Sequence, residues 1–457
     1  MVAVRLSLDL GEVASSVCDE LLGNSELVGL TAAALQEGQQ QKGLWFGAYP
    51  LSVAIRPQLL SPDRYAQAVR AAREIASALR TLEGALLLDP GLRAELDLDH
   101  DEEELALADP GFRHSSPVAR LDSFCADQVR YVEYNAETPA GIAYAEELAA
   151  VFDQTPLLRE LRQRFRLRAL VAQDRQLEAL LGAYREWGGR GTPRIAIVDW
   201  AGLPTLREFE LCRDYFVRHG VPTTICEPAE LQYRDGVLRG PDGEAIGLVY
   251  RRVLCSELLS AGDQGHALRQ AYLDRAVCVV NSFRAKLLHK KMSFALLSDP
   301  RHHHLFSPSQ LQAIERHVPW TRKLADGPST VVDKRIPDLV EHVLKHRERL
   351  ALKPNDDYGG RGVVLGWETS GSDWERALAL GMAQSSVVQE AVPVPWQEWE
   401  VALDGRVTTT KLAVDMDPYL FGGEVGGVMT RVSSSALLNL TSGAGSVVPT
   451  YLVERAL

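Results

Sequence analysis

The chain has 457 residues, 46% of them hydrophobic, and a formal net charge of −12. That length holds about two to four compact units, and the acidic balance argues against nucleic acid as the main partner, since phosphate binding wants a basic surface. No apolar run approaches the ~20 residues that span a bilayer, so no membrane association is expected. Met1–Leu10 lacks the basic and apolar regions of a secretory signal. Six scattered cysteines without a CxxC (Cys18, Cys125, Cys212, Cys226, Cys255, Cys278) then read as reduced packing residues of a cytoplasmic protein.

Residues 1–115 are expected to be mainly helical. Ser61-Pro62-Asp63 is a helix start, with a capping hydroxyl followed by a proline whose missing N–H costs nothing in the first turn. Tyr65, Val69, Ala72, Ile75, Ala76 and Leu79 then define one buried face. Asp97–Glu104 is an acidic run that reads as a solvated face. Leu121–Cys125 and Arg130–Asn135 read as two strands around the turn Ala126-Asp127-Gln128, and Gly141–Phe152 as a helix. Gly188–Thr192 is a linker. After it, the strands Ile195–Val198, Val221–Cys226 and Leu248–Tyr250 alternate with a helix over Leu206–His219 closed by Gly220, which implies a small parallel sheet. A second α/β unit opens near Ala276, with a strand over Val277–Val280 and a helix over Lys286–Leu297. Strands are expected at Arg349–Lys353, Val363–Gly366 and Val387–Glu390, and a strand-rich tail from Glu398.

Four groups of residues carry candidate chemistry. Residues two apart on a strand share a face, so Arg120 pairs with Asp122 and Glu133 with Asn135. If the two faces coincide, three oxygen ligands suited to Mg²⁺ meet a guanidinium able to neutralise a phosphoryl group; the alternative is a surface hairpin with its polar residues outward. Lys353 ends a strand and enters a loop with Gly359, Gly360 and Gly362, where glycine lets backbone N–H groups approach phosphate oxygens. It has no GK[ST] and is not a Walker loop, and an ordinary glycine-rich hairpin is the alternative. Lys291 competes with Lys286 and Lys290 for a phosphate role, or all three lie on a solvated helix face. The strand end Val387-Val388-Gln389-Glu390 can offer hydrogen bonds to an adenine edge.

Outside these groups, Asp199-Trp200 and Tyr250-Arg251-Arg252 end parallel strands, where ligands bind in α/β sheets; a substrate contact and a structural ion pair are both open for the arginines. Arg431 follows Gly422-Gly423 and Gly426-Gly427 and is either a phosphate or carboxylate contact or part of a tight strand-turn-strand element. His302-His303-His304 do not converge on one face.

In order and rough spacing, RLD at 120–122, EYN at 133–135, NSFRAKLLHKK at 281–291, LKPNDDYGGRGV at 352–363 and VVQE at 387–390 resemble the circularly permuted branch of the ATP-grasp superfamily, which includes glutathionylspermidine synthase. The resemblance covers roughly Arg120 to the C-terminus. It implies a mixed α+β and α/β fold: a mainly helical N-terminal region (1–115), the metal-binding part of the core (116–190), a preATP-grasp-like α/β substrate domain (191–275), and nucleotide-binding lobes with the C-terminal core (276–457).

It also implies an ADP-forming ligase that uses ATP and Mg²⁺ to join a small carboxylate to an amine, either of them an amino acid, peptide or polyamine, through an acyl phosphate. A non-catalytic ATP-binding protein and a phosphotransferase are the alternatives. Asp122, Glu133 and Asn135 would hold Mg²⁺. Arg120 would stabilise the transferring phosphoryl group, with Arg431 as a second such contact. Lys291 and Lys353 would contact phosphates, and Tyr358, Gly359, Gly360, Arg361 and Gly362 would close over them. Gln389 and Glu390 would lie at the adenine hinge.

Overall fold

The computed structural model describes residues 9–331, 334–357, 359–438 and 445–455. It is a mixed α/β structure with several sheets. Among the described residues no helix is long and apolar enough to cross a membrane.

Five helices lie within residues 10–107. The third, Pro62–Leu88, starts where the capping pattern places it, with the Ser61 side chain accepting from Arg64 N. Its buried face is centred one position from the expected one at the start: Ala68 and Ala71 are buried, whereas Tyr65 and Val69 are only half-buried. The acidic run differs more. It forms the helix His100–Leu107, and Glu102 points inward at 1% exposure. A charged side chain is this deeply buried only when paired, and its partners are the lysines described below.

The central sheet is antiparallel, in the order Trp396–Leu403, Arg406–Val414, Glu424–Ser433, Asp417–Phe421, Val118–Cys125, Val129–Asn135, with Ser446–Val448 added on Glu424–Ser433. The expected hairpin at 121–135 is therefore an edge of a sheet whose other strands come from the C-terminal part of the chain. The seam is set by Tyr419 opposite Arg120 and Leu420 opposite Ala119. Both faces of the Val118–Cys125 strand are covered, with Ala119, Leu121 and Ser123 buried as fully as Arg120 and Asp122.

A second sheet is parallel, in the order Cys278–Val280, Leu248–Arg251, Ile195–Val198, Thr223–Cys226. Cys278–Val280, Leu248–Arg251 and Ile195–Val198 are buried along their whole length, as strands covered on both faces are, and helix Leu206–Arg218 is followed by Gly220 at φ 77. A third sheet, in the order Thr321–Lys323, Ser386–Glu390, Leu350–Pro354, Val364–Leu365, carries the glycine loop between its last two strands.

The helix expected over Lys286–Leu297 is interrupted. It runs Lys286–His289, breaks at Lys290 (ψ 129), and resumes at Met292–Ser298. Lys291 N donates to Asn355 O instead of to its own helix, and Met292 N donates to the Asn355 side chain. Loop residues thus take over bonds that a continuous helix would have made, and the break sends consecutive lysines to different places.

Candidate functional site

The register of the central hairpin puts Asp122 opposite Glu133 and Arg120 opposite Asn135. Two carboxylates facing each other across a ladder repel, so the pairing calls for positive charge between or beside them. Protein cations supply some of it. Arg120 Nε and Nη2 lie 2.7 and 3.1 Å from the two Asp122 oxygens. Asn135 Nδ2 donates to Asp122 Oδ1 at 2.8 Å. Arg431 Nη2 reaches Asp122 Oδ2 at 2.9 Å and Asp417 Oδ2 at 2.8 Å, while its Nε binds Asp415 Oδ2 at 2.6 Å. Arg120 is 7% and Asp122 8% exposed, which rules out the outward-facing hairpin.

Asp415 and Asp417 were not singled out in the sequence. They flank Met416 with the same two-residue alternation as Arg120 and Asp122, and that alternation was the available signal. Their environments differ from that of Asp122. Burial raises the Asp122 carboxyl, but Arg120 and Arg431 outweigh it and hold the group at about 2. Burial, followed by repulsion from Asp122 and Asp415, pushes Asp417 well above the carboxylate range. Burial likewise raises Asp415.

The lysines approach from the third sheet and from the broken helix. Lys291 Nζ lies 3.3 Å from Glu133 Oε1 and donates to Asp357 O at 2.5 Å. Lys353 Nζ donates to Gln389 Oε1 at 2.6 Å and to Val132 O at 3.2 Å. Burial lowers the Lys353 ammonium to about 8, with Lys291 pushing the same way and Glu133 opposing. Lys286 and Lys290 are turned away from this face. Lys286 is paired with Asp356, Glu102 and Glu137, and Lys290 with Glu102 and Asp356. Of the three competing lysines, Lys291 is the one directed at the carboxylates of the hairpin.

Gln389 departs from the expected adenine-edge role. Its side chain is 3% exposed and fully engaged: it accepts from Lys353 and donates to Val132 O and Thr321 Oγ1. It orients Lys353 rather than facing a base. Glu390 is exposed and lies 3.8 Å from Arg130. Gly359, Gly360 and Gly362 adopt φ of 65, 75 and 65, a backbone region that favours glycine, and Arg361 beside them is exposed. Tyr358 lies outside the described residues.

The arginines at the strand end resolve as structural. Arg251 is fully buried, with Nη1 2.8 Å from Glu137. Arg252 donates to the Thr138 and Pro139 carbonyls, and Arg120 donates to the Ala140 carbonyl. The segment after Asn135 is thereby held between the parallel sheet and the hairpin. It ends at Gly141 (φ 98), where a Cβ would come within 2.6 Å of Met429 Sδ and 2.8 Å of Tyr419 Oη, so only glycine fits. A shallow, open depression lined by Trp200, Ser256, Glu257, Ser260, Ala261 and Gln264 lies beyond the parallel strands. Asp199 beside Trp200 is raised by burial to about 6.

Oxygen ligands, guanidinium groups and ammonium groups thus meet at one edge of the central sheet. Asp122, Glu133 and Asn135 form an oxygen-only donor set of the kind Mg²⁺ takes. The fit is chemical: both Asp122 oxygens now contact guanidinium groups, so positive charge is what this position accepts.

The fold is shared with a solved glutathione synthetase-like effector from Globodera pallida, at TM-score 0.59 and 12% identity over 94% of this chain and 98% of that one. No protein-family model matches the chain. By sequence it is similar to a putative glutamate–cysteine ligase 2-3 of Frankia alni, 26% identical over 74% of this chain. It is also similar to a putative glutamate–cysteine ligase 2-2 of Frankia casuarinae, 26% identical over 69% of this chain. The matched stretches cover 40% and 36% of those relatives, so the chain spans well under half of their length.

Proposed function

We propose that this chain is an ATP-dependent carboxylate–amine ligase of the circularly permuted ATP-grasp type. The observation that carries the reading is the meeting of Arg120, Asp122, Glu133 and Asn135 with Lys291 and Lys353, from elements that lie far apart in the chain. The order of elements supports the permutation: the hairpin with the oxygen ligands precedes the lysines in sequence, yet pairs with the C-terminal strand Asp417–Phe421. The names of the similar proteins, glutamate–cysteine ligase and glutathione synthetase-like effector, support amide-bond chemistry and amino acids as substrates.

In this reading the γ-phosphoryl of ATP passes to a substrate carboxylate, an amine attacks the acyl carbon, and phosphate leaves. Lys291 and Lys353 bind the phosphates, and Arg120 and Arg431 stabilise charge on the transferring group and on the tetrahedral intermediate. Asp122, Glu133 and Asn135 would hold Mg²⁺, whose chemistry when bound is neutralisation and polarisation of the phosphoryl oxygens. The residues 359–362 cover the phosphates and keep water from the acyl phosphate.

The test is ADP release from Mg²⁺-ATP with pooled amino acids, including glutamate and cysteine, short peptides and polyamines, followed by mass spectrometry. A condensed product lacking one water, absent with Asp122→Ala and Glu133→Ala, is the expected result. A phosphorylated acceptor as the end product would make the protein a phosphotransferase, and failure to bind ATP at all would sink the reading.

A further inference from the structure

The entry to the glycine loop is fastened from behind by a buried set of charges. Lys286, at 0% exposure, places Nζ 2.7 and 2.6 Å from the two oxygens of Asp356. Lys290 Nζ lies 3.3 Å from Asp356 and 2.8 Å from Glu102. Glu102 also lies 3.2 Å from Lys286. The residue before Asp356 is tied as firmly. Asn355 N donates to Ser385 O, its Nδ2 donates to Leu96 O, and its Oδ1 accepts from Met292 N. The residue after it accepts from Lys291 Nζ through its carbonyl.

Three of these ties end on the short N-terminal elbow between Leu96 and Glu102, and two contacts of Asp97 reinforce it. The Asp97 carboxylate accepts from Lys323 Nζ at 2.5 Å and from Ser385 Oγ at 2.7 Å. Asp97 itself is held at φ 51 and Ser385 at φ 61, uncommon values for residues other than glycine. The elbow therefore grips the third sheet at Lys323, Ser385 and Asn355. Glu137, His289 and Asp356 also bring three potential metal-ligand atoms within 4.8 Å of one another. The Lys286 ammonium contacts both carboxylates of that group, so the positive charge there is already the protein's own.

We infer that Asp356 is a positioning residue: clamped by Lys286 and Lys290 on the support of the Leu96–Glu102 elbow, it fixes the start of the glycine loop and aims Lys291 at Glu133. Residues 354–357 are then a fixed base for the loop. The N-terminal helical region acquires a role as the back wall of the loop. The link to phosphate binding rests on the nucleotide reading given above, whereas the clamp itself does not.

Hydrogen exchange on the ligand-free 457-residue chain tests the clamp, and calorimetric titration with Mg²⁺-ATP tests its consequence. Asp356→Asn is expected to speed exchange at residues 355–357 by about tenfold or more relative to the Val118–Cys125 strand. It is also expected to weaken ATP by about tenfold through misplacement of Lys291. Glu102→Gln, one contact further back, gives the same pattern at smaller size and serves if the first variant does not fold. A purely structural role would lower the thermal midpoint of both variants without a selective change at 355–357, and that result overturns the inference. Faster loop exchange with unaltered ATP affinity overturns it equally. A wild-type protein that binds no ATP would remove the functional reading, and the exchange measurements would still decide whether the clamp exists.

Discussion

Two buried charge clusters lie on either side of the broken helix, built from the same residue types but arranged to opposite effect. Behind the helix, three carboxylates (Glu102, Glu137, Asp356) meet three cations (Arg251, Lys286, Lys290), and every charge has an opposite partner. In front of it, three carboxylates (Asp122, Asp415, Asp417) meet two guanidinium groups (Arg120, Arg431). The first set is balanced, and the Glu137 carboxyl falls to about 2 despite its burial, because Lys286 and Arg251 stabilise the anion. Around Arg120 and Arg431, three carboxyls share two guanidinium groups, and Asp417 rises well above its ordinary value. Balance suits a cluster that holds parts together; an unsatisfied excess of oxygen ligands suits one that awaits a cation and phosphate.

The largest effect on activity should come from the front cluster. Asp122→Ala removes an acceptor shared by Arg120, Arg431 and Asn135. It is expected to lower ADP release by a factor on the order of 10³ while circular dichroism stays native. Activity within tenfold of wild type would mean that the two clusters do not differ in kind.

The back cluster should break the other way, in stability. Glu137→Gln removes the carboxylate that Arg251 and Lys286 share, and breaking a buried pair of this sort costs about 3–5 kcal/mol. Because the folded carboxyl lies at about 2, below its ordinary 4.5, its contribution is fully present above pH 4.5. It is lost as pH falls through 2. Urea midpoints measured from pH 7 down to 2 should fall steeply in wild type and less steeply in the variant. Parallel curves would show that Glu137 is not the linked group.

A smaller effect lies at the boundary. Lys353 titrates near 8 in the protein alone because it is buried, so at pH 8.5 it is mostly neutral. Phosphate oxygens favour its charged form, and ATP binding at that pH should therefore take up a large fraction of one proton. Calorimetry in buffers of different ionisation enthalpy reads this directly. The uptake should vanish in Lys353→Met and shrink at pH 6.5, where the ammonium is already charged.

Much of this geometry was legible in the sequence, for a definite reason. The hairpin, the parallel strands and the glycine loop are specified locally, by alternation, apolar runs and turn residues. Arg120, Asp122, Glu133 and Asn135 could be placed on shared faces because a strand has a fixed period of 2. What could not be read was pairing between distant segments. Glu102 looked like part of a solvated acidic run until Lys286 and Lys290, some 190 residues on, gave it a reason to turn inward. The continuous helix expected over Lys286–Leu297 failed for a similar reason: its break is set by Asn355, which no local pattern near Lys290 announces. Gln389 was assigned to a base edge because its strand end is polar, but the lysine it holds belongs to the neighbouring strand.

The finest discrimination between the clusters is Asp417→Asn. Asp417 accepts from Ser123 N at 2.8 Å and lies 2.8 Å from Arg431, and an amide keeps an acceptor for the first while removing the excess charge. Its folded carboxyl is raised, so any stability tied to it is present below its ordinary 3.8 and lost as pH rises through the folded value. Burial and the neighbouring carboxyls work against its charged form, and replacement by the neutral amide should change stability by less than about 1 kcal/mol in either direction. The same change made in the balanced cluster at Glu137 should cost several times as much. Equal losses in the two variants, read from urea midpoints at pH 7, would mean that the charge excess around Arg431 is already met within the protein and that the front cluster, too, is structural.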